Sequence, residues 1–185
     1  MIKVAIVGCN GKMGGFVARS VEESAVCETL FGVDAFGTSR YDFPVYKSFD
    51  EAADKPDVIV DFSHHSAAPV LCAYVLQQKL PAVIATTGHT DAELTLIRHA
   101  AETVPIFLAA NLSLGIALLN QLALAAAAAL PEAEIEIIEL HHSKKWDAPS
   151  GTAQKLAEEL YKNMSMGCDA YMDMLPRVED NRLKT

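Results

Sequence analysis

The densest group of chemically active side chains in this sequence lies between residues 141 and 152. Its members are His141, His142, Lys145, Ser150, Gly151 and Thr152. A histidine exchanges protons near neutral pH, and a lysine donates a proton or binds a carboxylate. Ser150 suits the N-cap of a following helix, whose N–H groups at Gly151 and Thr152 suit an anion. The pattern favours reduction of a small carboxylate-bearing substrate, and a capped helix behind a charged surface loop is the alternative.

A second candidate site lies at the start of the chain. The apolar, β-branched run at 2–7 leads into Gly8, Gly11 and Gly14, and a helical pattern follows over 11–24. Glycines allow a tight turn and close approach of a phosphate, and the helix start presents N–H groups to it. This G-x-x-G-x-x-G spacing predicts a dinucleotide cradle, although a plain strand–helix turn has the same form.

An acidic residue follows the second predicted strand, as a dinucleotide site requires. Asp34 lies 20 residues past Gly14. Its carboxylate would accept hydrogen bonds from the adenosine ribose and repel a 2′-phosphate, which favours NADH over NADPH. The nearby Arg40 would reduce that repulsion, and an ordinary turn aspartate is the alternative interpretation.

Polar residues also follow two later predicted strands, at 86–88 and 110–113. Ligands lie over the carboxyl ends of parallel strands, so these residues would border the nicotinamide. The alternative is that they serve only as loop and cap residues. The pair His64-His65 resembles metal ligands, but no third ligand lies at a suitable spacing, so we expect an exposed loop pair and no metal site.

Strand and helix patterns alternate along the first part of the chain. Near-continuous Val and Ile runs are typical of parallel strands buried on both faces, so the alternation predicts a doubly wound α/β sheet. The expected strands are 2–7, 28–33, 45–47, 57–61, 82–86 and 105–109; the expected helices are 11–24, 50–55, 66–79 and 91–102. We place a domain boundary near residue 110. Beyond it we expect a helix over 114–130, a strand over 134–141 and a helix over 151–164, which is an α+β domain.

The overall charge and the cysteines restrict the class of protein. Net charge is −9, which disfavours nucleic acid or an anionic membrane as the main partner. The four cysteines are scattered and form no CxxC pair, which fits a reducing compartment, and we expect a cytoplasmic protein. The uncharged stretch 103–131 is interrupted by proline and polar residues, so we expect a buried, alanine-rich helix rather than a membrane span.

These motifs together resemble the 4-hydroxy-tetrahydrodipicolinate reductase (dihydrodipicolinate reductase) family. The specific part is His-His-x-x-Lys-x-Asp-Ala-Pro-Ser-Gly-Thr-Ala over 141–153, and the glycine turn, Asp61-Phe-Ser63, Thr86-Thr-Gly88 and Ala109-Ala-Asn-x-Ser113 follow the family's order. The resemblance implies a Rossmann-like dinucleotide-binding domain over 1–110 and a substrate-binding and oligomerisation domain over 111–185. It also implies reduction of 4-hydroxy-tetrahydrodipicolinate to tetrahydrodipicolinate by NADH or NADPH in lysine biosynthesis.

The resemblance assigns roles residue by residue. His141 is the expected proton donor and acceptor, and Lys145 the second proton donor. The expected substrate-binding residues are His142, Ser150, Gly151 and Thr152. The expected cofactor-binding residues are Gly8, Cys9, Asn10, Gly11, Lys12, Met13, Asp34, Ala85, Thr86, Thr87, Ala109, Ala110, Asn111 and Leu112. Lys12, Ala85 and Leu112 stand where the family usually has Arg, Gly and Phe, and the first exchange bears on cofactor preference.

The family continues past residue 185, with segments that complete the substrate domain and build a homotetramer. We therefore expect a chain that is incomplete relative to the family, and two other functions stay open. One is a dinucleotide-binding module with weak or no catalysis. The other is a dehydrogenase of the same fold that acts on semialdehydes. This sequence gives it no support, because its substrate segment lacks the cysteine beside a histidine that a covalent intermediate needs.

Overall fold

The chain folds into two compact units, Met1–Ala110 and Asn111–Thr185. The computed structural model describes residues 1–37, 40–109, 111–141 and 149–164, with the side chain of Met164 excluded. The two units are described in turn.

The first unit is built on a six-stranded parallel sheet. Its strands are β1 (Ile2–Val7), β2 (Cys27–Val33), β3 (Val45–Tyr46), β4 (Val58–Asp61), β5 (Ala82–Ile84) and β6 (Ile106–Leu108). They lie in the order β3-β2-β1-β4-β5-β6, and all pairs are parallel. The chain therefore reverses its direction of travel across the sheet between β1 and β4, where such folds form a crevice. This confirms the predicted Rossmann-like, doubly wound fold.

Helices cover both faces of this sheet. They are α1 (Lys12–Glu22), α2 (Ala68–Gln78) and α3 (Asp91–Ala101). Alternate residues of β1 point to opposite faces: Val4 and Ile6 belong to the core beneath α1, whereas Ala5 and Val7 belong to the core shared with α2 and α3. Because β1 is buried on both faces, the glycine turn at its end has a rigid base.

The helix expected over 50–55 is wrong. A single 3-10 turn occupies Phe49–Glu51 instead. Pro56 disfavours the helical conformation at the residue before it, which leaves too few residues for an α-helix.

The second unit contains α4 (Leu114–Ala129) and α5 (Gly151–Met164) in its described part. The strand expected over 134–141 is wrong, because these residues are not in a strand. A strand needs a neighbouring strand for its hydrogen bonds, and no described residue of this unit forms one. Ile138 and Leu140 are accordingly 81% and 92% exposed.

Helix α4 is also more exposed than its composition suggests. Of its residues only Ala127 is buried, whereas Leu118, Leu119 and Leu122 are each more than half exposed. The expectation of a helix buried on both sides is wrong for the described residues, since they supply too few packing partners. Within the described ranges, no helix has the length and apolar character needed to cross a membrane.

Candidate functional site

The turn after β1 is held in a shape that only glycine permits. Gly8 has φ +76°, and a Cβ there would lie 2.7 Å from the Cα of Ser63. A Cβ on Gly14 would lie 2.0 Å from the carbonyl oxygen of Gly8. The start of α1 thus packs directly on the turn. Among the described residues no side chain caps Gly11, so the first N–H groups of α1 remain suited to an anion.

Asp34 ties the end of β2 to this turn. Its carboxylate oxygens accept the backbone N–H of Asn10 at 3.0 Å and that of Phe36 at 3.1 Å. The residue is 8% exposed. Two backbone donors fix the carboxylate next to the glycine turn, where it keeps further acceptor capacity for a ligand hydroxyl.

A cavity of about 590 Å³ opens between the glycine turn, Asp34 and the end of β4. Its polar lining includes Asn10, Asp34, Lys47, Ser48, Ser63 and His64. This volume suits a small-molecule or cofactor site. The sequence had not singled out Lys47, and it had placed Ser63 only within a motif of the family, although Ser63 follows a strand end, which is a usual place for ligand contacts.

Lys47, rather than Arg40, supplies the cation on the wall of this cavity. The aliphatic stem of Lys47 lies over Gly37, whose Cβ position is 2.7 Å from the lysine Cε. Arg40 is not part of the cavity wall; its guanidinium donates to the carbonyl oxygen of Asn10 and to the hydroxyl of Tyr41, both at 3.2 Å. Among the described residues, the cation that lines this cavity together with Asp34 is therefore Lys47.

Cys9 lies beneath the turn as a core residue. Its side chain is fully buried. Burial, together with the charge of Asp34, raises the pKa of the Cys9 thiol to about 11. The thiol thus stays protonated at neutral pH, so any contact of Cys9 with a ligand falls to its backbone.

Asp61 joins the ends of β4 and β5. It is 1% exposed, and its carboxylate accepts the N–H and hydroxyl of Ser63 and the hydroxyl of Thr86, the last at 2.8 Å. The Thr86 side chain is therefore buried against Asp61, and the exposed residues Thr87 and Gly88 form a rim beyond the end of β5.

His65 and the start of α3 form a polar cluster beside that rim. The Nδ1 of His65 lies 2.9 Å from Glu93, which also accepts the N–H of Thr90 in a capping box. The backbone N–H of Thr90 and then the His65 side chain hold the pKa of Glu93 down at about 2. The expected exposed histidine pair thus has partners: His64 caps a 3-10 turn at His65–Ala67 and bonds Ser66.

The second unit contains a separate polar arrangement at the start of α5. Ser150 is the N-cap, as expected, because its hydroxyl accepts the N–H of Ala153 at 3.1 Å. Glu139 accepts the N–H of Ser150 at 2.7 Å and lies 3.0 Å from the Nε2 of His141. Gly151 has open space around its Cβ position. Sequence reasoning missed Glu139, although it lies two residues before His141 and so on the same side of an extended chain.

Polar contacts also link α4 to α5 within this unit. Asn111 donates to the hydroxyl of Thr152 at 3.1 Å and accepts the N–H of Ser113 at 2.8 Å. The Ser113 hydroxyl in turn accepts the N–H of Ile116. Ser113 is thus the N-cap of α4, and Asn111 connects this cap to Thr152.

The structure brings together only part of the predicted set. One cavity is lined by Gly8, Asn10, Gly11 and Asp34. The start of α1 carries Lys12 and Met13, which are exposed, and the ends of β5 and β6 are followed by Ala85 and Ala109. In the second unit, Leu112 is exposed. His142, Lys145 and Ala110 lie outside the described residues. Within the described ranges, His, Cys, Asp and Glu side chains do not form a group of three suited to a metal ion.

Comparison with known proteins gives consistent matches. The family models for the N-terminus and C-terminus of dihydrodipicolinate reductase match residues 2–112 and 115–182. A 4-hydroxy-tetrahydrodipicolinate reductase of Caldanaerobacter subterraneus is 46% identical over 86% of this chain and 63% of its own length. One of Clostridium tetani is 40% identical over 89% and 65%. The chain therefore spans less than two thirds of these curated relatives.

A solved structure agrees with these matches. The dipicolinate-bound dihydrodipicolinate reductase of Paenisporosarcina sp. TG-14 superposes with a TM-score of 0.74 at 33% identity. The match covers 89% of this chain and 67% of that one.

Proposed function

This chain belongs to the dihydrodipicolinate reductase family, and from that premise we propose that it reduces 4-hydroxy-tetrahydrodipicolinate to tetrahydrodipicolinate with NADH or NADPH. The reaction is a step of lysine and diaminopimelate biosynthesis. The observation that carries the proposal is the cavity at the glycine turn, lined by Asp34, in a chain that matches both family models. A cytoplasmic location and a homotetramer belong to the same proposal.

The first unit holds the dinucleotide in this proposal. The turn fits a pyrophosphate, because Gly14 lets the start of α1 pack directly on the turn and the first N–H groups of that helix are suited to an anion. Further contacts to the cofactor come from residues at the start of α1 and after β5 and β6, namely Lys12, Met13, Ala85, Thr87 and Ala109. Bound there, the cofactor supplies the hydride.

Asp34 favours NADH, because its buried carboxylate accepts ribose hydroxyls and repels a 2′-phosphate. Lys47 on the same cavity wall moderates this preference. The site thus accepts both dinucleotides with NADH ahead.

The second unit binds the substrate and moves protons in this proposal. His141 donates the proton, and Lys145 is the second donor. A substrate carboxylate is held by the N–H groups at Gly151 and Thr152, together with His142 and Ser150; the Ser150 cap and the exposed Gly151 support this role.

A coupled assay tests the proposal. The upstream synthase, pyruvate and aspartate semialdehyde generate the substrate in place, and the loss of NADH absorbance is followed. We expect turnover that depends on this protein and falls to background in His141→Gln. Folded protein that gives no loss above the blank contradicts the proposal.

A second candidate is a dinucleotide-binding module without turnover, which the cavity beside the glycine turn of the first unit favours. NADH at 100 times its Kd would then stabilise the fold by about 2.7 kcal/mol, with turnover at background. Turnover that His141→Gln abolishes rules this candidate out.

A further inference from the structure

We infer that Glu139 is a positioning residue, which orients the imidazole of His141 and ties it to the start of α5. The inference rests on the proposed function of His141 as proton donor. One carboxylate makes both contacts: Oε2 lies 3.0 Å from the His141 Nε2, and Oε1 accepts the Ser150 N–H at 2.7 Å. The proposed proton donor His141 and the N-cap Ser150 are thereby joined through a single side chain.

Glu139 carries the charge that this role needs. Burial disfavours its ionised form, but hydrogen bonds from Ser150 and from His141 outweigh burial and lower the pKa of Glu139. The group is therefore an anion at neutral pH, able only to accept hydrogen bonds.

An anion facing Nε2 determines which ring nitrogen of a neutral His141 carries the proton. The contact is a hydrogen bond only if Nε2 bears hydrogen, so the carboxylate selects the Nε2–H tautomer and leaves Nδ1 as the nitrogen that exchanges protons with a ligand. This is how a carboxylate behind a histidine assists acid–base chemistry without reacting itself.

The second contact fixes the spacing between acid and anion site. Ser150 is the N-cap of α5, so Glu139 anchors the ring relative to the N–H groups at Gly151 and Thr152. A substrate carboxylate seated there would lie at a set separation from His141. Positioning of this kind contributes strongly to rate.

The rest of the segment supplies little other support. Ile138 and Leu140 on either side are 81% and 92% exposed, and residues 134–141 have no strand pairing. Among the described residues, the hydrogen bond from the Ser150 N–H to Glu139 links this segment to the start of α5. Glu136 gives a matched control, since it is an exposed carboxylate of the same segment with no hydrogen bond to a described residue.

Ring nitrogen NMR tests the inference in the full chain without requiring turnover. The protein is labelled with ¹⁵N-histidine, and the His141 signals are assigned by their loss in His141→Asn. We expect wild type and Glu136→Gln to show the Nε2–H tautomer at neutral pH. Glu139→Gln should shift the ring towards a mixture of tautomers and move the Ser150 amide signal, with α5 retained by circular dichroism. An unchanged tautomer in Glu139→Gln overturns the inference.

Turnover provides the second readout. Glu139→Gln should lower kcat by about tenfold or more, because general acid–base catalysis contributes 100-fold or more when intact, while the Kd for NADH stays as in wild type. Glu139→Asp, which retains the charge, should recover part of the loss. An equal loss in Glu136→Gln would overturn the inference. If no variant turns over substrate, the proposed function fails, and the tautomer result still decides the role of Glu139.

Discussion

Replacing Asp34 with asparagine should reverse the cofactor preference. The change removes one negative charge from the cavity wall and keeps the side-chain shape. Asparagine retains one acceptor oxygen for Asn10 or Phe36, so the variant should fold with a modest loss of stability.

Burial sets the size of this effect. Two unit charges 4 Å apart interact by about 1 kcal/mol in water and about 4 kcal/mol at the dielectric typical near a protein surface. Asp34 is only 8% exposed, so relief of its repulsion should exceed the lower figure and strengthen NADPH binding by at least about fivefold. Loss of a charged acceptor for the ribose should weaken NADH by about 1 kcal/mol, or about fivefold.

Lys47 should act in the opposite direction with a smaller magnitude. Its side chain is exposed, so removing the charge in Lys47→Met should cost NADPH about 1 kcal/mol, or about fivefold, and leave NADH nearly unchanged. Added salt should reduce this difference, because exposed charges are screened.

Calorimetric titration of both dinucleotides at fixed ionic strength measures these effects. Asp42→Asn is the control, since it removes the same charge from an exposed residue outside the cavity wall. A ratio of the two Kd values that changes by less than threefold in Asp34→Asn, with the fold intact, would refute the electrostatic reasoning. No binding of either dinucleotide would instead refute the proposed function.

Three further results are expected. Gly14→Ala should destabilise the protein by about 3 kcal/mol in urea unfolding, since its Cβ would lie 2.0 Å from the Gly8 oxygen, and should abolish dinucleotide binding; full binding would contradict the cradle. Asp61→Ala should cost about 3 kcal/mol for three lost hydrogen bonds, against about 1 kcal/mol for Asp57→Ala, which loses one exposed bond; equal costs would be inconsistent with this assignment. The folded pKa of Glu93, about 2, lies below its usual value of 4.5, so its contribution is present above pH 4.5 and is lost as the pH falls towards 2. Glu93→Gln should flatten that part of the stability profile measured by urea unfolding from pH 6 to 2.5, and a profile unchanged from wild type would argue against the His65–Glu93–Thr90 cluster.

Features determined by short stretches of chain were predictable from the sequence. The glycine turn after β1 and the Ser150 cap depend on residues a few positions apart, and both are observed. The doubly wound, parallel sheet followed from the alternation of strand and helix with right-handed connections.

Features that depend on distant partners were not predictable. The run at 134–141 has the alternation of a strand, but a strand forms only where another strand offers hydrogen bonds. Likewise Arg40 and Lys47 are both cations near Asp34 in sequence, and only the path of the chain into β3 decides which one reaches the cavity. Glu139 could have been found from its spacing to His141, but its contact with Ser150 spans 11 residues.

The close packing of Gly14 on the Gly8 carbonyl means that two groups of positions near the cofactor site should respond differently to protein engineering. Even a methyl group is excluded at Gly14 and Gly8, so a saturation library there should return glycine alone, whichever dinucleotide is selected for. Lys47 and Phe36 line the cavity and are both exposed, so we expect these positions to tolerate exchange. Selection for a new cofactor preference should therefore accumulate substitutions at exposed positions of the cavity wall and leave the glycine turn unchanged.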